Sequence, residues 1–315
     1  MTATTGTTGT TGTSIVFECE YQGRRYAGHG LPQPGSPLEL YPVAAGQLHA
    51  ALVAGSGPQD LGPAVTGESA PAEVALDDPG LRFLPPLLPT AGDNSLINGF
   101  MGTHRTKFDR APEPDEEFIP PNYYIKGFGS WLRMPEEPLL TPADPVWLLE
   151  EPEVVLVYAN DDQGVPHYAG YTFGNDLNDI GLHLQKPWAW TPYAKLCETS
   201  IAPYLFLDAP PERVTGSVTI ERDGAKAWYG DFSCGADSIF HRVPDMTEYL
   251  FSYPALRRPG LVNYLFLGAD KATYHDGFRI EDGDRMVLDV SSHGVVLANE
   301  VRYWDRSAPA VPRPQ

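Results

Sequence analysis

Three carboxylates lie beside two apolar runs in the middle of the chain. Glu151 and Glu153 precede the run from Val154 to Tyr158. Asp176 follows a second apolar piece, Tyr171 to Phe173. Side chains two apart on a strand point to the same face, so both glutamates can face one site. A carboxylate beside a buried strand is costly unless a cation compensates it, and hard divalent cations prefer oxygen ligands. The spacing therefore indicates a metal site, with a solvated acidic face as the alternative.

The segment that follows adds a cation and two hydroxyl groups. Lys195 precedes Thr199 and Ser200, which lead into another apolar strand. An ammonium group here could neutralise a substrate carboxylate or a developing oxyanion, although a surface lysine is the plainer interpretation. A divalent ion chelated by a 2-oxo acid or a 1,3-dicarbonyl polarises the carbonyl and stabilises an enolate. Dehydration, C–C hydrolysis and decarboxylation share that intermediate, so the pattern predicts the intermediate and leaves the outcome open.

Short strands separated by Gly, Pro and Asp turns must position these residues. Residues 15–29 and 216–233 are predicted hairpins, the first around a Gln-Gly turn and the second around Asp223-Gly224. Apolar spacing predicts helices over 38–53 and 246–260. Many strands with few helices predict a β-rich α+β fold. The remaining predicted strands cover residues 96–104, 123–132, 262–268, 284–290 and 294–301.

Composition shifts divide the chain into parts. A Thr/Gly-rich tail over 1–14 is expected to be disordered, and a loose tail is expected over 305–315. A small N-terminal domain is predicted over 15–90 and a larger catalytic domain over 91–304. The acidic, proline-rich segment 111–122 is predicted to be a mobile loop.

The overall charge excludes several classes of partner. The 315 residues include 22 basic and 41 acidic side chains, a formal net charge of −19. Nucleic acid and anionic membranes are therefore not expected to bind. Three widely spaced cysteines form neither a disulfide framework nor a zinc motif. With no signal peptide and no apolar run of roughly 18 residues, the expected location is cytoplasmic.

Several motifs, taken in their order along the chain, are similar to those of a known superfamily. The chain resembles the fumarylacetoacetate hydrolase superfamily through IKGFGS, EPE followed by VVL, GYTFGND, WTPYAK, LFLGAD, EDGDRMVLDV and GVVLAN. Within it, the chain looks most similar to the branch of 2-keto-3-deoxy-sugar-acid (arabonate-type) dehydratases. That branch is indicated by FLPPLLP before GTH, NYYIKGFGS, EEPE, GND, FSYPALRRPG and DGFRIEDGD. The resemblance covers roughly residues 15–302.

The resemblance implies a fold, a cofactor and a set of site residues. It implies a β-roll of mixed sheets with a small N-terminal domain, Mg²⁺ (or Mn²⁺ or Ca²⁺) as the cofactor, and a homodimer. Matched motif by motif, it places the metal ligands on Glu151, Glu153 and Asp176. It places the catalytic groups on His104, Lys126 and Lys195. It places the substrate-binding positions on Thr199, Ser200 and Ala269.

Two positions depart from the superfamily pattern. Lys107 stands where hydrolytic members have a glutamate that pairs with the histidine at position 104. Ala269 stands where a threonine usually binds a substrate oxygen. Other carboxylates could replace the missing glutamate, and the candidates near the histidine are Asp109, Glu113, Glu116 and Glu117.

The departures keep several functions open. A metal-dependent lyase that dehydrates a 2-keto-3-deoxy acid is the first hypothesis. A C–C hydrolase or decarboxylase of an acylpyruvate or β-dicarbonyl is the second, with a tailoring enzyme of secondary metabolism as a variant. Trp188, Trp190 and Tyr193 motivate that variant, because they could line a pocket for a bulkier substrate, although ordinary packing is the default. A non-catalytic binding protein of the same fold is the third.

Overall fold

The computed structural model describes residues 14–55, 57–66, 70–110, 113, 116–270, 272–305 and 307. Nearly all of the two predicted tails lies outside these residues, as does part of the predicted loop over 111–122. The described residues form a β-rich α+β fold of mixed sheets, which confirms the predicted fold class.

The described ranges contain short strands and five α-helices, which follow one another along the chain. The N-terminal elements are β1 (Ile15–Tyr21), β2 (Arg24–His29), β3 (Leu38–Pro42), α1 (Gln47–Ala54), α2 (Leu61–Val65), β4 (Ala72–Val74) and β5 (Leu81–Leu84). The middle elements are β6 (Ser95–Met101), β7 (Asn122–Phe128), β8 (Leu139–Thr141), β9 (Leu148–Leu149), β10 (Pro152–Asn160), β11 (Pro166–Asn175), β12 (Asn178–Asp179), α3 (Ile180–Gln185) and α4 (Pro187–Ala194). The C-terminal elements are β13 (Ser200–Ile201), β14 (Tyr204–Phe206), β15 (Val214–Arg222), β16 (Ala225–Cys234), α5 (Val243–Phe251), β17 (Val262–Phe266), β18 (Arg285–Val290) and β19 (Val295–Tyr303).

A twelve-stranded mixed sheet carries the long central strands. Its main order is β4-β3-β2-β1-β14-β11-β10-β17-β6-β7, with β5 paired to β1 and β13 paired to β11. The pairing of β17 with β6 is parallel, and the other pairings of this sheet are antiparallel. Strand β10 lies between β11 and β17, so its backbone groups are paired on both sides.

Alternating side chains of β10 enter two different cores. Val154 and Leu156 belong to an apolar cluster that includes Val218 and Leu288 of the second sheet. Val155 and Val157 belong to a cluster on the other face, which includes leucines of α1 and α2. A strand that is covered on both faces must be apolar at consecutive positions, which explains the run that follows Glu153.

A five-stranded sheet covers one face of the central strands. Its order is β16-β15-β18-β19-β8, and β9 and β12 form a separate small ladder. The two predicted hairpins are confirmed as β1–β2 and β15–β16. Their turns place Gln22, Gly23, Asp223 and Gly224 at φ of 50°, 74°, 52° and 74°, the left-handed conformation that tight hairpin turns require.

The predicted helix over 38–53 is wrong in its first half. Leu38 and Leu40 are buried and Glu39 is exposed, the alternation of a strand, and β3 pairs with β2 and β4. Pro42 ends β3, and the helix α1 begins only after Gly46, which has φ 76°. The leucines at four-residue spacing therefore span two elements. Similarly, the predicted helix over 246–260 is α5, which ends at Phe251 ahead of a 3₁₀ turn at Pro254–Leu256.

The N-terminal strands join the rest of the chain through hydrogen bonds between β1 and β14. The predicted division into domains at residues 90 and 91 stays a prediction. Among the described helices, none combines the length and the apolar character that crossing a membrane requires.

Candidate functional site

The pairing of β10 with β11 brings the three predicted carboxylates together. Glu153 lies opposite Gly174, so the start of β10 meets the end of β11, and Asp176 follows directly. The Asp176 amide donates to the carbonyl oxygen of Glu151 at 3.0 Å. One carboxylate oxygen from each of the three side chains lies within 4.8 Å of the others. The arrangement supplies three oxygen ligands of the kind that hard divalent cations prefer.

Two buried lysines contact this cluster. Lys195 Nζ donates to Glu151 Oε2 at 2.8 Å and to Asp176 Oδ2 at 2.5 Å. Lys126 Nζ donates to Asp176 Oδ1 at 2.5 Å. Two ammonium groups beside three carboxylates leave one negative charge uncompensated when all five groups are ionised.

The two lysines pair with Glu151 and Asp176, and neither of them pairs with Glu153. Burial raises the pKa of Glu153 well above its ordinary value, and the charges of Glu151 and Asp176 raise it further. Burial would also raise the pKa of Asp176, but Lys126 and Lys195 outweigh it and hold that pKa below its ordinary value. A divalent cation beside Glu153 would favour its ionised form.

The free oxygens of the glutamates suit a metal ion. Glu151 Oε2 accepts from Lys195 and from Asn178 Nδ2 at 2.8 Å, and Glu153 Oε2 accepts from the Gly268 amide at 2.6 Å. No described residue donates a hydrogen bond to Oε1 of either glutamate. The two Oε1 atoms and Asp176 could therefore hold a divalent ion, and hydrogen bonds from the other residues would orient the ligands.

Strand β7 supplies Lys126 together with a residue that the sequence did not indicate. Tyr124 and Lys126 are two apart on β7 and both point inward, whereas Ile125 between them is 54% exposed. Tyr124 Oη donates to Asp176 Oδ2 at 2.7 Å. Gly99 on β6 makes this possible, because a Cβ there would lie 2.6 Å from that hydroxyl. The two-residue spacing before Lys126 was the signal that could have identified Tyr124.

Gly268 fixes the other side of the site. Its φ of +107° is a conformation that residues with a side chain rarely adopt, and a Cβ would lie 2.0 Å from Thr103 Oγ1. Glycine in this conformation allows the amide to point at Glu153. The next residue, Ala269, lines the cavity beside the carboxylates.

The cluster opens into a cavity of about 220 Å³. Its polar lining, besides Glu151, Glu153 and Lys195, comes from Lys107, Asn122, Asn178, His183 and Thr191. Its apolar lining comes from Phe100, Met101, Ile180, Ala194 and Ala269. A cavity of this size and mixed lining suits a small polar ligand with a short carbon chain.

His104 is not among the residues that line the cavity, and both of its ring nitrogens are engaged. Nε2 lies 3.2 Å from the Ser233 carbonyl, and Nδ1 lies 2.8 Å from Thr106 Oγ1 and 3.3 Å from the Asp270 carboxylate. Burial lowers the pKa of His104 by more than the negative charge of Asp270 raises it. The acidic group that faces this histidine is therefore Asp270. The candidate Glu116 instead pairs with Arg110. The catalytic role of His104 stays a prediction.

The three predicted substrate-binding positions differ in their surroundings. Ala269 lines the cavity. The Thr199 hydroxyl donates to the Asn175 carbonyl, and the Ser200 hydroxyl donates to Asn299 Oδ1 at 2.7 Å, so both are held within the protein. Neither of them is part of the cavity lining, and their contact with substrate stays a prediction.

The aromatic cluster before Lys195 lies on α4. The helix turns Thr191 and Ala194 toward the cavity, while Trp188 is fully exposed and Tyr193 is 63% exposed. Lys186 Nζ lies 5.0 Å from the ring of Trp190. None of the three aromatic side chains lines the cavity, so they give no support to a pocket wall for a bulkier substrate.

Solved structures share this arrangement of strands. The apo form of 2-keto-3-deoxy-D-arabinonate dehydratase matches with a TM-score of 0.66 and 16% sequence identity, covering 93% of this chain and 100% of that chain. A structure of 2-keto-3-deoxy-D-arabinonate dehydratase complexed with magnesium and 2,5-dioxopentanoate matches with a TM-score of 0.65 and 16% sequence identity, covering 93% of this chain and 100% of that chain. The 5-carboxymethyl-2-hydroxymuconate delta-isomerase from Mycobacterium smegmatis matches with a TM-score of 0.58 and 17% sequence identity, covering 92% of this chain and 100% of that chain.

The chain has their fold. At these identities the likeness shows the fold alone. No protein-family model and no curated protein matches the sequence.

Proposed function

We propose that this chain is a divalent-metal-dependent enzyme that forms an enolate from a 2-oxo acid or 1,3-dicarbonyl compound, and that it dehydrates a 2-keto-3-deoxy acid. The observation that carries the proposal is the convergence of Glu151, Glu153 and Asp176, within 4.8 Å, beside two buried lysines. The fold shared with a dehydratase complexed with magnesium and 2,5-dioxopentanoate supports it.

The charges of the site suit such a substrate. A divalent ion held by the three carboxylates would polarise the substrate carbonyl and favour the enolate. With that ion and both lysines, the site would carry one positive charge, which complements the carboxylate of a 2-oxo acid. Mg²⁺ is the proposed ion, with Mn²⁺ and Ca²⁺ as alternatives.

Lysines at the cavity could meet the anionic groups of the substrate. Lys195 lines the cavity, and its ammonium is already oriented by Glu151 and Asp176. Burial alone would lower the pKa of Lys195, but the three carboxylates raise it above its ordinary value, so the group stays charged. Lys107 also lines the cavity and is exposed. Either ammonium could donate to a carboxylate or to the enolate oxygen as its charge develops.

The proposed dehydration breaks two bonds of the substrate. A base takes a proton from C3, and the electron pair of that bond forms the enolate. The hydroxyl group at C4 then leaves with a proton as water. The apolar lining from Phe100, Met101 and Ile180 limits competing water at the enolate.

A C–C bond hydrolase of an acylpyruvate is the second candidate. Asp270 lies 3.3 Å from His104 Nδ1 and so supplies the carboxylate partner of this histidine that Lys107 cannot supply. Decarboxylation of a β-dicarbonyl would use the same metal site and needs no activated water.

The test combines metal binding with product mass. The protein would be incubated with Mg²⁺ and a panel of 2-keto-3-deoxy acids and acylpyruvates, and the products measured by mass spectrometry. A dehydratase is expected to give a product lighter by 18 mass units, the mass of one water molecule. A C–C hydrolase is expected to cleave the substrate into two acids.

The matched variants are Glu153→Gln at the site and Glu39→Gln on an exposed face of β3. Glu153→Gln is expected to abolish turnover and the stabilisation by Mg²⁺, whereas Glu39→Gln retains both. Turnover that survives Glu153→Gln in full would contradict the proposed metal site. The homodimer and the cytoplasmic location stay predictions.

A further inference from the structure

A second histidine lies at the candidate site, and the proposed function has not used it. His183 on α3 lines the same cavity as Glu151, Glu153 and Lys195. Unlike His104, whose two ring nitrogens both have partners, His183 has a partner in the described structure at only one nitrogen, Nδ1.

The contact at Nδ1 determines the tautomer of His183. The Thr191 hydroxyl donates its one proton to the Pro187 carbonyl at 2.5 Å. Thr191 Oγ1 must therefore accept in its contact with His183 Nδ1 at 2.7 Å, which makes Nδ1 the protonated nitrogen. Nε2 of the neutral ring then carries a lone pair, and no described residue donates to it.

The helix that carries His183 is held firmly in place. The Asp179 carboxylate caps α3 by accepting from the Leu182 amide at 3.1 Å, and it also accepts from the amides of Val146 and Trp147. A Cβ at Gly181 would lie 2.7 Å from the Trp147 nitrogen, so α3 packs closely against that backbone. Rigid support of this kind suits a group that must meet substrate in one orientation.

The surroundings keep the ring of His183 neutral. Burial lowers its pKa, and the charge of Lys195 lowers it further, against an opposite effect of Glu151. A neutral imidazole with a free Nε2 can accept a proton near neutral pH.

We propose that Nε2 of His183 is the base that takes the C3 proton of the substrate and returns it to the leaving hydroxyl. The C3–H bond breaks, an N–H bond forms at Nε2, and the electron pair enters the enolate. When the C4–O bond breaks, the enolate electrons form the new double bond, the proton on Nε2 passes to the departing oxygen, and water leaves. His183 is then neutral again. This inference rests on the proposed function, because it needs an enolate-forming site.

The test isolates the first proton transfer. The probe is 2-oxobutanoate, which has C3 protons and no hydroxyl to eliminate, incubated with the protein and Mg²⁺ in D₂O. Deuterium entering C3 is followed by proton NMR against a blank of buffer and Mg²⁺. We expect His183→Gln to slow the enzymatic exchange by roughly 10²- to 10⁴-fold.

Two matched variants complete the experiment. His167→Gln changes a histidine at the far end of β11, which pairs with Asp161, and should leave exchange unchanged. Thr191→Val removes the acceptor that sets the tautomer and should slow exchange less than His183→Gln does. The thermal shift with Mg²⁺ should persist in His183→Gln, which shows that the site still folds.

The outcomes separate the two proposals. If the wild-type protein exchanges the C3 protons and the His183→Gln variant does so equally fast, or if only His104→Gln loses the exchange, the role of His183 is overturned. The enolate proposal then still stands. No exchange by the wild-type protein overturns both. Nitrogen NMR of the ¹⁵N-histidine-labelled wild-type protein tests the tautomer without a variant, because a proton on Nε2 at neutral pH would also overturn the role.

Discussion

Replacing Lys126 by methionine tests the charge balance at the site directly. The Lys126 side chain is 3% exposed and its partner Asp176 is fully buried. The substitution retains much of the apolar stem but leaves Asp176 with one ammonium partner, Lys195. It also leaves the Leu177 carbonyl without the donor that Lys126 provides at 2.5 Å.

The expected cost follows from this burial. Removing one partner of a buried ion pair lowers the free energy of unfolding by about 3–5 kcal/mol. The variant site is more negative, so it should bind Mg²⁺ more tightly than the wild-type site does. The stability difference between variant and wild type should therefore narrow in saturating Mg²⁺.

Urea denaturation with and without Mg²⁺ measures both quantities. The control is Lys226→Met on β16, an exposed lysine whose replacement should change stability by no more than about 0.5 kcal/mol. If Mg²⁺ left the gap between Lys126→Met and wild type unchanged, or widened it, the inferred compensation between lysine and metal would be refuted.

Three further predictions concern single residues around the site. Gly268→Ala places an alanine at φ +107° with its Cβ against Thr103, so we expect the free energy of unfolding to fall by at least about 1–3 kcal/mol and calorimetry to show weaker Mg²⁺ binding. The control Gly277→Ala, at φ +73° with open space around the Cβ, should lower the free energy of unfolding by less and leave Mg²⁺ binding intact. Tyr124→Phe removes the 2.7 Å hydrogen bond to Asp176, which should lower the free energy of unfolding by about 1.5–3 kcal/mol, and an unchanged value would refute the contact. Burial raises the pKa of Glu150 to about 7, so the folded protein keeps a proton that the unfolded chain has released. The contribution of Glu150 to stability should therefore fall as pH rises from about 4.5 to about 7, and the difference between wild type and Glu150→Gln over that range measures it.

The convergence of the three carboxylates could be predicted from the sequence because its signal is local. Glu151 and Glu153 sit two apart at the start of an apolar run, and Asp176 ends the next one, so an antiparallel pair brings them together. The two hairpins were predictable for the same reason, since their turn residues and alternating flanks are adjacent in sequence.

Contacts made by distant segments were not accessible in this way. Asp270 reaches His104 only because parallel pairing of β17 with β6 brings their following loops together. The position of His183 depends on how α3 packs against Trp147 and on the contact between His183 and Thr191 of α4, which no spacing in the sequence encodes. Local spacing also gave a wrong prediction for residues 38–42. Leu40 continues the four-residue spacing of α1, but it lies on β3, which pairs with β2 and β4.

Titration of Mn²⁺ into the protein, followed by electron paramagnetic resonance, tests the central claim most directly. The proposed site predicts one tightly bound Mn²⁺ per chain, displaced by Mg²⁺ and lost in Asp176→Asn. Equal Mn²⁺ binding by wild type and Asp176→Asn would contradict the claim that these three carboxylates form the metal centre.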